Sequence, residues 1–150
     1  MVTAEANKLD GEDFVGKPDI VFYKDGKRDH TTGDTYEKSL EVQEPYRKGT
    51  MQKVSGTDTG IKLTTISKIT DPDTQEKIRK HEIKFVSPAV FPKSLEDIEI
   101  IRTGPDTHIH VLHRYRALHR AFVDEPAYGE IEATVGSTCE GDGHECLLKL

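Results

Sequence analysis

From Ile20 onward, short runs rich in Ile, Val, Thr and Tyr alternate with strong turn chemistry at Lys24-Asp25-Gly26, Thr32-Gly33-Asp34, Ser55-Gly56-Thr57-Asp58, Asp71-Pro72-Asp73 and Thr103-Gly104-Pro105-Asp106. Gly, Pro, Asn and Asp at such intervals reverse the chain, so segments 20–23, 35–43, 50–55, 61–70, 77–86, 97–102 and 130–135 read as strands. The alternation is clearest at 78–86, where Arg79, His81, Ile83 and Phe85 share one face and Lys80, Glu82 and Lys84 the other. Ile131, Ala133 and Val135 alternate with Glu130, Glu132 and Thr134 in the same way. One-sided alternation predicts antiparallel strands with one buried and one wet face, not a doubly wound parallel sheet. One segment departs from period two. In 108–122 the apolar Val111, Tyr115, Leu118 and Phe122 recur at helical spacing after Asp106-Thr107, which predicts an amphipathic helix ended by Pro126 and Gly129. The pattern therefore predicts a mainly antiparallel β-barrel of about seven or eight strands with one C-terminal helix.

Chain length and charge narrow the possibilities. At 150 residues the chain suits one domain, read as a mobile N-terminal arm over 1–11, a barrel over 12–136 and a flexible tail over 137–150. Twenty-one Lys and Arg against 27 Asp and Glu give a net charge of −6, which argues against nucleic acid and acidic membrane surfaces as partners. No apolar run is long enough to span a bilayer, and 1–16 lacks a signal-peptide core, so the expected location is cytoplasmic. Cys139 and Cys146 are too few and too close together to frame a disulfide scaffold, and their spacing does not match a zinc knuckle. Whether they pair or bind metal stays open at this level.

Candidate chemistry is sparse. His108, His110, His113 and His119 lack a complete metal-ligand set, and with Arg114, Arg116 and Arg120 interleaved they read as a solvated basic face. Asp71-Pro72-Asp73-Thr74-Gln75-Glu76 lacks the glycine and terminal glutamate of a calcium loop. No metal or other cofactor is expected. The inward pair Arg79 and His81 is the strongest feature, because a cation on an otherwise apolar strand face marks a cavity that takes an anion. The opposite register would leave both at a rim or subunit contact. Tyr23, Tyr36, Tyr46 and Arg47 supply phenols and a guanidinium for a polar end of the cavity, with Phe85 on the Arg79 face.

The order of Phe14-Val15-Gly16-Lys17, Tyr23, Gly26, Phe85, Phe91-Pro92-Lys93, Glu96 to Ile101 and Glu125-Pro126 to Ile131 resembles the phenolic acid decarboxylases, small calycin (lipocalin-like) barrels. The resemblance covers most of 14–135 and implies a homodimer. It also implies a pair of first-strand tyrosines that hold the substrate carboxylate, of which Tyr23 matches the second while Val21 stands at the first. For the arginine and glutamate that manage the proton in that family, Arg47 and Glu44 are the nearest counterparts by order. The expectation is thus a cofactor-free, lyase-like enzyme acting on a small aromatic or carboxylate-bearing metabolite. In it Arg79 binds the anionic group, His81 carries a proton and Tyr23 orients the substrate, with Tyr36, Tyr46, Arg47 and Phe85 lining the site. The alternative is a barrel that binds or carries a ligand without transforming it.

Overall fold

The computed structural model describes residues 1–125, 133–134, 136–137 and 146–149. Helix α1 (Ala4–Asp10) leads through a 3-10 turn (Gly11–Phe14) into β1 (Pro18–Ile20) and a small hairpin, β2 (Phe22–Lys24) and β3 (Lys27–Asp29). Helix α2 (Tyr36–Gln43) precedes β4 (Arg47–Ser55) and β5 (Thr64–Ile69), and helix α3 (Pro72–Arg79) precedes β6 (Phe85–Pro92). A separate two-stranded ribbon, β7 (Ile98–Arg102) and β8 (His108–Leu112), is followed by β9 (Tyr115–Val123), then the short β10 (Ala133–Thr134), β11 (Gly136–Ser137) and β12 (Cys146–Lys149).

Five strands form the body of one mixed sheet in the order β6-β9-β1-β4-β5, extended by β10 at one edge and by β12 and β11 at the other. All neighbours are antiparallel except β1 and β9, which run parallel through Asp19↔Arg120 and Ile20↔Ala121. The two edges do not pair among the described residues, so the sheet is open and the expected closed barrel with a single C-terminal helix is overturned.

Helices cover both faces. On one, Ile78 of α3 packs with Ile69, Val86 and Phe122, while Ala6 of α1 and Phe14 pack with Met51, Val54, Tyr115 and Ala117. On the other, Ile20, Ala121 and Val123 meet Phe22 and Phe85. Each fully buried Ile, Val, Met or Phe among them contributes about 1.5–3 kcal/mol through area removed from water.

The expected C-terminal helix is two strands. Residues 108–122 fold as β8 and β9, so the step from Val111 to Tyr115 crosses between strands and the three-residue step from Tyr115 to Leu118 spans a bulge: β9 pairs His119 with Ala89 and Ala117 with Val90, leaving Leu118 as the extra residue. The expected strand over 77–86 is mostly α3. Asp71 is its N-cap, accepting from Thr74 N at 2.9 Å, and Pro72 takes the first helical position, where a missing N–H costs nothing. Likewise 35–43 is α2, capped by the Thr35 hydroxyl.

Residues 1–11, read from sequence as a mobile arm, carry α1, and one acid of α1 with one of the 3-10 turn after it completes the sheet. Because β1 flanks β9 only at Arg120 and Ala121, the earlier N–H groups on that side need other acceptors. Asp10 takes Tyr115 N at 2.9 Å and Asp13 takes Ala117 N at 2.7 Å. Burial pushes the Asp10 carboxyl up, but hydrogen bonds from Arg114, Tyr115 N and Lys93 prevail and hold it at about 2.

Candidate functional site

Strand β9 lies between β6 and β1 and is buried on both faces except at Arg116. Its consecutive residues His119 and Arg120 therefore point into opposite layers, each carrying a buried polar group into the interior.

On the α2 face, His119 (0% exposed) and Ser87 of β6 (4% exposed) stand on the same side of the β6–β9 pair, since Ser87 pairs with Ala121 and Ala89 with His119. His30 bridges them. Its Nδ1 lies 2.9 Å from His119 Nε2 and its Nε2 lies 2.9 Å from Ser87 Oγ. His119 Nδ1 in turn lies 2.8 Å from Gln43 Oε1, and Gln43 Nε2 donates to the Leu118 carbonyl at 2.7 Å.

That last bond fixes every proton in the chain for neutral imidazoles. A carbonyl only accepts, so Gln43 must turn its amide NH2 to Leu118 and present Oε1 to His119. His119 then donates from Nδ1 and accepts at Nε2, His30 donates from Nδ1, and His30 Nε2 is left as the acceptor for the Ser87 hydroxyl. Neutrality follows from burial. Desolvation lowers His30 below its ordinary value, with the neighbouring Asp29 carboxylate opposing, and desolvation together with His30 takes His119 down to about 3.

Local structure holds each member. The β2–β3 turn places Asp25 and Gly26 at φ 52° and 79°, the left-handed pair that closes a tight hairpin. Arg28 clamps that hairpin to the end of β9: its backbone N and Nε donate to Asp124 at 2.9 and 2.7 Å, and Nη2 donates to the Glu82 carbonyl at 2.9 Å. His30 follows directly. Gln43 closes α2, whose Tyr36 hydroxyl also donates to β9, at the Ala117 carbonyl (3.3 Å).

On the opposite face, Asp19 (0% exposed) and Arg120 (5% exposed) are register partners across the parallel β1–β9 pair. Neither Asp19 oxygen has a hydrogen-bond partner, nor has Arg120 Nε; Ser67 is beside Asp19 without closing a bond of ordinary geometry. Burial pushes the Asp19 carboxyl up to about 7, against the opposing pull of Ser67, Arg120 and Arg47.

The residues expected to form the site are scattered. Arg79 ends α3 and pairs with Glu76 at 3.0 Å, and His81 is exposed in the following turn at φ 60°. The shared strand face expected for them does not exist, because 72–79 is helical. Tyr23 is 52% exposed and lines a surface cleft of about 290 Å³ with Lys48, Asp71, Thr74 and Lys77. Tyr46 packs edge-on against Phe22, and Arg47 is taken up by Glu44 (2.6 Å) and Thr50 (2.7 Å). Tyr36 is buried under Arg116, and Phe85 packs with Ile20 and Ala121 near the histidine chain. Phe85 is the one expected site residue that borders it.

The expected basic helix face is dismantled as well. His108 and His110 stack on β8, His113 pairs with Glu99 at 2.6 Å, and His119 and Arg120 are interior. No group of three or more potential metal-ligating side chains occurs among the described residues. Cys139 lies outside the described residues, and Cys146 begins β12. Among the described residues no helix is long and apolar enough to cross a membrane.

Comparison with protein-family models, with curated proteins and with solved structures returns no match to this chain. The barrel implied by the resemblance to phenolic acid decarboxylases is replaced by the open mixed sheet.

Proposed function

We propose that the protein is a small-molecule enzyme working by acid–base chemistry, with His30 as the general base and Ser87 as the group it serves. The observation that supports this reading is the serial chain Ser87–His30–His119–Gln43, with spacings of 2.9, 2.9 and 2.8 Å and a single allowed polarity. A base held neutral and oriented by a third group, with its free nitrogen on a hydroxyl, is the arrangement that activates that hydroxyl. His119 is a positioning residue: buried and held neutral, it accepts the His30 proton bond without taking the proton. Ile20, Phe22, Phe85 and Ala121 pack as a core cluster on the same sheet face, so a compound admitted to Ser87 meets hydrocarbon, which suits a small apolar carbonyl compound. Arg28, the guanidinium of the adjoining hairpin, is committed to Asp124 and the Glu82 carbonyl.

The test is a panel of small carbonyl compounds incubated with catalytic amounts of the full chain. Conversion that falls at least about 100-fold in His30→Gln supports the reading, and conversion equal in both proteins refutes it. A second reading, ligand binding without transformation, is favoured by the near-complete cover over Ser87. It requires a compound that raises the melting temperature by mass action while being recovered unchanged.

A further inference from the structure

We infer that Ser87 is a covalent nucleophile and that the substrates are esters or thioesters of short, uncharged acyl groups with a good leaving group. This inference rests on the acid–base reading above and adds to it a bond to the protein. Three features carry it: the geometry of the hydroxyl, the packing around it, and the residue that follows it.

The hydroxyl is placed as a nucleophile needs to be. Its proton lies on the path to His30 Nε2 at 2.9 Å, while the second nitrogen of His30 is anchored at the same distance by His119. Hydrolases that use a serine nucleophile with a histidine base have this order of roles: attacking oxygen, base, and a partner that fixes the tautomer of the base. The neighbouring carboxylate of Asp29, which accepts His30 N at 2.7 Å, supplies negative charge near the imidazolium that forms when the proton moves.

The packing sets acyl size. Ser87 is nearly covered, and the same sheet face carries the packed cluster of Ile20, Ala121, Val123, Phe22 and Phe85, so an acyl group attached to Oγ has to make room among hydrocarbon. A charged acyl chain would lose its hydration there, and a long one would have to displace packed side chains.

The next residue sets the leaving group. Pro88 has no N–H, so the backbone donor immediately after the nucleophile, a common source of oxyanion stabilisation, does not exist in this chain. One such donor is worth about 100- to 1,000-fold in turnover. Chemistry without it favours substrates whose leaving group departs readily, such as aryl esters and thioesters.

The step balances with water as the only co-reactant. Ser87 Oγ bonds to the acyl carbon as its proton passes to His30 Nε2. The bond from that carbon to the leaving oxygen or sulfur breaks, and the proton leaves with it. Water then adds to the acyl carbon while His30 takes its proton, the carbon–Oγ bond breaks, Ser87 recovers its proton, and a carboxylic acid is released.

The experiment uses the full chain with p-nitrophenyl acetate, followed by rapid acid quench, intact mass and peptide mapping. Expected are a burst of about one p-nitrophenolate per chain and one acetyl group on Ser87, with turnover at least about 100-fold lower in Ser87→Ala. p-Nitrophenyl decanoate should give no burst. Acetyl groups confined to lysines, or the same burst in Ser87→Ala, would overturn the inference. Hydrolysis retained in Ser87→Ala but lost in His30→Gln would overturn the covalent step alone and leave the acid–base reading standing. Equal hydrolysis by all three proteins would end both. Should Ser87→Ala fail to fold, labelling of wild-type Ser87 by a small alkyl fluorophosphonate decides instead: modification at Ser87 supports the inference, and its absence refutes it.

Discussion

The Gln43 amide, anchored to one backbone carbonyl, determines where the protons sit on two histidines and which way a serine hydroxyl points. Because burial holds His30 below its ordinary value of 6.5, the free-base form persists into mildly acidic solution. Any activity that depends on it should rise with pH to a plateau, with its inflection below 6.5; an inflection at or above 6.5 in a kcat/KM profile would contradict this. The same burial has the opposite consequence at Asp19. An acid with a folded value of about 7 binds more protons folded than unfolded between roughly pH 4 and that value, so stability falls as pH rises through this window. Asp19→Asn should therefore stabilise the protein more at pH 8 than at pH 4, by a difference on the order of a few kcal/mol in urea unfolding. Equal effects at the two pH values would mean that Asp19 ionises normally.

Among the elements, the β2–β3 hairpin and the N-terminal helix are held by side chains that reach across the molecule. Arg28→Ala removes the clamp to Asp124. Because the pair is only partly buried, the expected cost is small, about 1 kcal/mol, and the informative readout is faster amide exchange across 22–30 with weakened His30 function. Asp10→Ala leaves the Tyr115 N–H without its acceptor and two cations without their partner, with an expected loss of about 2 kcal/mol. The Asp10 carboxylate contributes stability that is complete above its unfolded value and lost as pH falls from about 4 towards 2. Wild type and Asp10→Ala should therefore converge in stability at the acid end.

Several strands at this scale were legible: β4, β5 and β7 fall where runs rich in Ile, Val and Thr lie between turn signals. Asp71-Pro72 was legible as punctuation but not as a helix start, because the same pair opens turns and caps helices; the Thr74 acceptor bond decides between them only in three dimensions. The candidate site was hidden for a different reason. His119 and Arg120 interrupt the apolar run 117–123, and polar residues in that position read as the wet side of a helix. In the fold they are the two buried faces of a central strand, where polar groups survive through tertiary partners such as Gln43 and His30. The available signal was apolar residues on both sides of a polar pair, with His30, Gln43 and Ser87 far away in sequence.

At the level of the whole molecule, the open sheet explains why no barrel interior gathers the expected residues. Parallel pairing of β1 with β9 joins the first and last of the five main strands inside the sheet, with α1 and α3 on one face and α2 with the β2–β3 hairpin on the other. The role given to Ser87 depends on one ordered hydrogen-bond chain across the α2 face, which long-range proton–nitrogen NMR of the imidazole rings at pH 7 tests most directly. His30 and His119 should each appear neutral, each with its proton on Nδ1, with any inflection of His30 on acidification lying below 6.5. Averaged tautomers on either ring, or ordinary titration of both near 6.5, would contradict the chain and with it the role given to Ser87.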